Sequence, residues 1–348
     1  MEPIREIMRA VTVIGGGLAG LTLGIGLRRE NVPVTLHEAG KYPRHRVCGE
    51  FISGRGQKSL ARLGLLEFIE GSGAVRAKSV AFFSKTRSTK ARPLPSPAIC
   101  LSRFDLDQAL ANEFTRLGGE LVQNSRWRGE FAEGVVRATG RKPQANDGGK
   151  WFGLKIHARG VKLAADLEMH VSRRGYTGIC YINRGELDIC GLLRRRDGES
   201  APRNWKEWLF AEPDSFLSQR LKDAEFDAGS FCAVAGLSLR PQQAAGRDEC
   251  CVGDTITMIP PVTGNGMSMA FESAELALGP LVAWSRGEVT WRTAQDAIAR
   301  GCDAAFARRL TWAKWLQRAL LTPALQNPML VLVGRSEWFW RTAFEKTR

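Results

Sequence analysis

An α/β fold (α+β overall) built on a Rossmann-type nucleotide domain is predicted by three observations. A short apolar strand runs into the glycine turn Gly15-Gly16-Gly17-Leu18-Ala19-Gly20, an apolar helix follows at once, and a second strand ends in Glu38. In order, residues 10–16 read as a buried parallel strand, 18–30 as a helix and Val32–Glu38 as the next strand. Helices are predicted over 55–69 and 103–117, the latter from Asp105, Leu106, Ala109, Leu110 and Phe114 at helical spacing. Residues 76–84 and 134–138 read as strands. From 151 the pattern changes to β, with strands Trp151–Ala158, Ala165–Val171, Gly178–Ile182 and Glu186–Leu193, the last two joined by a turn at Asn183-Arg184-Gly185. Helical segments follow over 203–223, a strand at Glu249–Gly253 returns the chain to the first domain, and a long helix runs to about 285, followed by a helical tail.

This layout predicts a discontinuous nucleotide domain (1–70, 98–140 and 246–285). An inserted, mainly antiparallel β-sheet substrate domain (71–97 and 141–245) interrupts it, and 286–348 form a helical C-terminal region. The chain has 348 residues, enough for one large core or two coupled domains. No apolar run approaches the roughly 20 residues a membrane-spanning helix needs. The start, Met1-Glu2-Pro3-Ile4-Arg5, lacks the apolar stretch of a signal peptide, so a cytoplasmic location is expected, with peripheral membrane contact as a variant of it.

Eight cysteines are scattered without paired C-x-x-C spacing, and with only four histidines no metal centre is expected. The net charge of +14 favours an anionic partner. Its charges are dispersed and no nucleic-acid motif accompanies them, so an acidic electron-donor protein, a phosphorylated substrate or an anionic membrane surface fits better than nucleic acid.

The glycine turn has the spacing for a dinucleotide. Gly15 permits the tight turn, Gly17 lets the backbone approach a pyrophosphate, and Gly20 lets helix and strand pack closely; Leu18 and Ala19 open the helix whose positive end faces the phosphates. Glu38 stands where a carboxylate accepts hydrogen bonds from a ribose. A second block distinguishes a flavin from a nicotinamide cofactor. Gly253-Asp254 ends another apolar strand, where an aspartate can hold ribitol hydroxyls. Pro260-Pro261-Val262-Thr263-Gly264-Asn265-Gly266-Met267 precedes a helix whose N–H groups can face the flavin N1–C2 edge.

With these blocks and Ser102-Arg103-Phe104-Asp105-Leu106-Asp107, the sequence resembles the flavoprotein superfamily of para-hydroxybenzoate hydroxylase, geranylgeranyl reductases and flavin halogenases. The resemblance implies non-covalent FAD, with Arg103 near the ribitol and phosphates, and Pro261, Gly264, Asn265, Gly266 and Met267 beside the ring. Arg46-Val47-Cys48-Gly49-Glu50 resembles the cysteine loop of geranylgeranyl reductases, which places Arg46 at the cofactor and makes Cys48 and Glu50 the candidate catalytic residues. The segment 151–157 and 174–178 looks like bacterial members of the superfamily with poorly assigned substrates. Where the family has Ala-Asp-Gly, this chain has Ala138-Thr139-Gly140-Arg141-Lys142. Direct reduction by NAD(P)H is therefore expected to be slow, with a separate reductase as the other electron source. The W-x-W-x-I-P motif of tryptophan-type halogenases is absent.

The expected function is oxidation or reduction of a lipophilic small molecule, a polyketide-derived aromatic or an isoprenoid. The expected reaction is hydroxylation, with double-bond reduction as the alternative and halogenation or a non-catalytic flavin protein behind them. His157 and His170, on predicted strands, read as bonded structural histidines. The tail from 291 carries Trp291, Trp312, Trp315, Trp338 and Trp340 among arginines, which suits either packing on the nucleotide domain or contact with lipid.

Overall fold

The computed structural model describes residues 8–141, 151–195, 204–210, 212–237 and 239–348; the segment Met1–Arg5 and Lys142 lie outside the described residues. The nucleotide side is a parallel sheet with strand order β13-β7-β1-β2-β6. It comprises β1 (Val11–Ile14), β2 (Val34–His37), β6 (Glu120–Val122), β7 (Val135–Arg137) and β13 (Cys250–Cys251). All four pairings are parallel. Parallel sheets need both faces covered, and the sequence of α1 (Leu18–Arg29) supplies that cover. Every residue from Leu18 to Leu27 is buried. The helix packs against α4 (Arg103–Arg116) and α7 (Gly266–Ser285). Gly24 faces the Phe114 ring and Gly26 faces Leu278, so the helices approach closely. Each fully buried leucine here contributes roughly 1.5–3 kcal/mol.

The second sheet has eight strands in the order β12-β8-β11-β10-β9-β4-β5-β3. They are β3 (Phe51–Ile52), β4 (Val75–Phe83), β5 (Arg92–Cys100), β8 (Trp151–Arg159), β9 (Leu167–Val171), β10 (Gly175–Tyr181), β11 (Leu187–Arg194) and β12 (Glu225–Ala235). It is antiparallel except where β4 meets β9. The turn at 183–185 joins β10 to β11 in register, Tyr181 opposite Leu187, as the sequence predicts.

Some elements differ from the sequence reading for physical reasons. The helix expected over 55–69 is two, α2 (Arg55–Arg62) and α3 (Leu66–Gly71), separated at Leu63-Gly64-Leu65. The helical stretch 203–223 holds two short helices, α5 (Trp205–Phe210) and α6 (Phe216–Arg220). β5 escapes sequence reading because Pro93, Pro95 and Pro97 cannot donate to a ladder. It is tolerated because β3, the edge strand beside it, pairs only at Phe51 and Ile52. β12, at the other edge, is largely exposed and broken by a register shift between Asp227 and Cys232. The tail is helical, as expected: α8 (Trp291–Leu321), α9 (Pro323–Arg335) and α10 (Glu337–Thr347). Among the described residues, no helix is long and apolar enough to cross a membrane.

Candidate cofactor and active site

The glycine turn leaves β1 for α1 along a path that only glycine allows. Gly15 has φ +110°, and a Cβ there would lie 2.4 Å from the Ala138 carbonyl oxygen, whereas a Cβ at Gly17 would meet nothing within 4 Å. The space over Gly17 is a cradle open to a ligand. No side chain caps the N-terminus of α1 and no acid lies in its first turn, so its N–H groups remain to be satisfied.

Glu38 closes one side of this turn. Its carboxylate accepts hydrogen bonds from the Gly16 and Gly40 N–H groups, each at 2.8 Å, and pairs with Arg44 at 2.6 Å. Burial works to raise its pKa, yet the Arg44 and Gly40 bonds outweigh that and hold it below the usual carboxylate range. Arg46 lies 3.8 Å from both Glu38 and Asp107, and its Nε is buried without a hydrogen-bond partner. An orphaned guanidinium N–H beside an open glycine cradle fits an anionic diphosphate.

Arg103 stands at the start of α4, whose N-cap Ser102 accepts from the Phe104 N–H. Its guanidinium grips Asp107 through two bonds of 2.7 and 2.8 Å. It also bears on the half-buried Cys48 thiol and on Asp254. Burial pushes Cys48 up to about 11 against the pull of Arg103, so the group is a neutral thiol at physiological pH. Burial pushes Asp254 up to about 6, with Arg103 and Arg141 drawing it down.

The second wall of the site is the turn after β13. Gly253 packs on Ala19 of α1 and donates its N–H to Ser273 of α7 at 2.8 Å, joining the two helices at one place. Pro261 and Gly264 shape the loop before α7; Gly266 would admit a Cβ into open space and Met267 is buried behind it. α7 also begins without a side-chain cap. Asn265 donates to the Thr347 carbonyl, while its Oδ1 is buried with no partner. Two uncapped helix starts, an orphaned amide oxygen and an orphaned guanidinium N–H are what the residues for a flavin dinucleotide would show.

On one face of the eight-stranded sheet lies a buried cluster that sequence reasoning did not assemble. Glu50, Lys155, His157 and Asp188 are 0, 0, 2 and 1% exposed. The Glu50 carboxylate lies 2.8 Å from His157 Nε2 and 3.2 Å from Lys155 Nζ, and accepts the Arg103 N–H at 2.9 Å. Burial works to raise its pKa, but His157, Lys155 and that N–H hold it low. Asp188 is the opposite case: burial and the Glu50 charge drive it well above its ordinary value, and its Oδ1 has no partner. Glu50 is thus held as a carboxylate against Lys155, while the charged form of Asp188 is disfavoured beside them. Glu50, His157 and Asp188 also have donor atoms within 4.8 Å of one another, but Lys155 already places a positive charge against Glu50 there.

His157 continues outward, its Nδ1 3.4 Å from Glu186. His45 meets Lys155 at 3.1 Å and stacks on Phe104. His157 is thus buried and bonded, as its strand position suggests, and so is His170, 2.9 Å from Glu168. What the sequence conceals is that β8 sets Lys155 and His157 on one face, opposite Cys190 and Asp188 of β11. Polar residues two apart in a strand that is otherwise buried are the signal that could have found them.

The sequence matches no family model. Over 132 aligned positions, covering 34% of this chain, it is 28% identical to Conditioned medium factor receptor 1 of Dictyostelium discoideum, and the match spans about a quarter (26%) of that protein's length. Among solved structures, the chain is similar to the flavin-dependent brominase Bmp2, at 18% identity and TM-score 0.70 over 97% of this chain and 98% of that one. A flavoprotein/dehydrogenase from Cytophaga hutchinsonii matches at 15% and 0.71, over 97% and 95%. The halogenase PltM, in complex with phloroglucinol and FAD, matches at 16% and 0.71, over 97% and 85%. At such identities the likeness establishes the fold, which this chain shares along nearly its whole length.

Proposed function

We propose that this chain is an FAD-dependent oxidoreductase that hydroxylates a lipophilic small molecule, most simply a phenolic aromatic of polyketide type. The observation that carries the reading is the open cradle at Gly17, against which the Asp254 turn packs through Gly253 and Ala19, with Arg103 donating its N–H to the buried Glu50–His157 couple beside it. The similar fold of PltM, solved with FAD and the phenol phloroglucinol, supports it.

Gly15, Gly17, Leu18, Ala19 and Gly20 would hold the diphosphate with Arg46, Glu38 the adenosine ribose, Asp254 and Arg103 the ribitol, and the loop from Pro261 to Met267 the ring edge. Bound there, FAD supplies the redox and oxygen chemistry. The protein supplies position and proton handling. Glu50 would accept the proton of a substrate hydroxyl, with the His157 Nε2–H, 2.8 Å away, steadying its carboxylate and His157 Nδ1 3.4 Å from Glu186.

A second reading is reduction of a carbon–carbon double bond, favoured by the Cys48 thiol. Hydride addition to one carbon leaves the other to be protonated, and Cys48, held protonated up to about 11, has the proton to give.

The deciding experiment is anaerobic reduction by NADH, NADPH and dithionite, followed by oxygen, with a phenolic or isoprenoid substrate and bromide present. Hydroxylation adds an oxygen atom drawn from O₂ and no bromine, with slow direct reduction by NADPH because Ala138-Thr139-Gly140 stands in place of Ala-Asp-Gly. A product with two added hydrogens selects the second reading, in which Cys48→Ala slows turnover by about 10²–10⁴-fold with flavin still bound. Protein that neither carries nor takes up FAD overturns both.

A further inference from the structure

α9 is apolar on both sides: Met329, Leu330 and Val333 are buried on its inner face beside Gln326. Its polar residues point inward: Gln326 donates to the carbonyls of Ser172 at 2.8 Å and Leu320 at 3.0 Å, and Asn327 accepts from Ser84 at 2.9 Å. Its solvent side is apolar, with Leu325, Val331 and Leu332 exposed by 47, 36 and 40% around Pro328. Isolated exposed leucines are ordinary, but a helix that carries apolar residues on its solvent side as well as on its core side is not.

Aromatic residues extend this face at both corners of the helix. Trp338, at the start of α10, is 75% exposed and Trp315, near the end of α8, is 47% exposed. The Trp315 and Phe339 rings, with centroids 6.3 Å apart, join the two helices. Charge is distributed with equal bias: residues 304–336 contain five basic side chains and no acidic one. Of these, Lys314, Arg318 and Arg335 are exposed beside the apolar stripe.

From this arrangement we infer that α9, with the adjoining ends of α8 and α10, docks on the surface of an anionic lipid bilayer. Tryptophan at the edge of an apolar face is suited to the headgroup region, and the basic residues match its negative potential. A second copy of this chain is a poorer occupant, since it would bring the same positive charge across the contact. On its inner side α9 is anchored to the core of the fold. Met329 and Val333 belong to the same apolar cluster as Tyr176 and Cys180, with Val262 of the loop before α7 packed at its margin.

The test is flotation of the full-length protein with vesicles of phosphatidylcholine alone or with phosphatidylglycerol, at low and high salt. Binding should need the anionic lipid and fall as salt rises. Arg318→Gln with Arg335→Gln should weaken it about thirtyfold, at about fivefold per charge near the surface. Leu325→Glu with Leu332→Glu should abolish it, while circular dichroism and thermal unfolding match the wild type because both side chains are already in solvent. No binding to anionic vesicles, or equal binding to neutral ones, overturns the inference. So does a dimer in solution that the two glutamates disperse, which would assign the face to a second copy. None of these readouts involves flavin or turnover, so the inference stands or falls apart from the proposed reaction.

Discussion

Replacing Asp254 by asparagine removes a charge that the flavin-free protein carries at a cost. The folded pKa is pushed from 3.8 up to about 6, so the carboxylate at neutral pH is disfavoured by about two pH units, or about 3 kcal/mol. Partial solvent access trims this to about 2–3 kcal/mol. Because the folded value lies above the unfolded one, the stability this group contributes is complete below pH 3.8 and is lost as pH rises through about 6. The asparagine variant, stripped of flavin, should therefore match the wild type near pH 4, gain on it as pH rises, and hold a constant advantage of about 2–3 kcal/mol above pH 7. Urea unfolding at several pH values, with enthalpy-independent midpoints compared at fixed slope, measures the difference. Parallel stability curves for the two proteins across that range would refute the desolvation of Asp254, and with it the reason for placing a hydroxyl-rich ligand there.

Two other substitutions separate ligand space from packing space and charge from fold. Gly17→Val adds its side chain to an open cradle, so the flavin-free protein should unfold at the wild-type temperature yet retain no FAD on gel filtration; full FAD occupancy would show that the phosphates bind elsewhere. Lys155→Met leaves buried Glu50 without its ammonium and should cost about 3–5 kcal/mol, whereas Lys155→Met with Glu50→Gln should recover most of that loss. Additive effects in denaturant titration would mean the two groups do not compensate each other.

The sequence displays the nucleotide side of the fold because its evidence is local. Strand, glycine turn, helix and Glu38 follow one another within the first 38 residues, and backbone sterics at Gly15 leave little alternative. The β10–β11 hairpin is legible for the same reason. The buried cluster is not, because it depends on register: Asp188 comes opposite His157 only when β8 pairs with β11, and Glu50 reaches both from a loop more than a hundred residues earlier. Hydrophobic patterning also fails on α9. Apolar residues lie on both sides of it, Met329, Leu330 and Val333 inside and Leu325, Val331 and Leu332 outside, so the pattern does not say which face packs. β12 is missed because an exposed edge strand carries no alternation to read.

The charges buried against the eight-stranded sheet also constrain how the sequence can drift. Glu50, Lys155, His157 and Asp188 balance one another where water does not reach, so a lineage cannot lose one of them and wait for the next change. Positions 50 and 155 should be inherited together, as Glu with Lys or as a pair of neutral residues. Descendants that exchanged the whole set for apolar residues would keep the scaffold and the open turn at Gly17, which offers a way for one ancestral sheet to carry different groups behind the same turn.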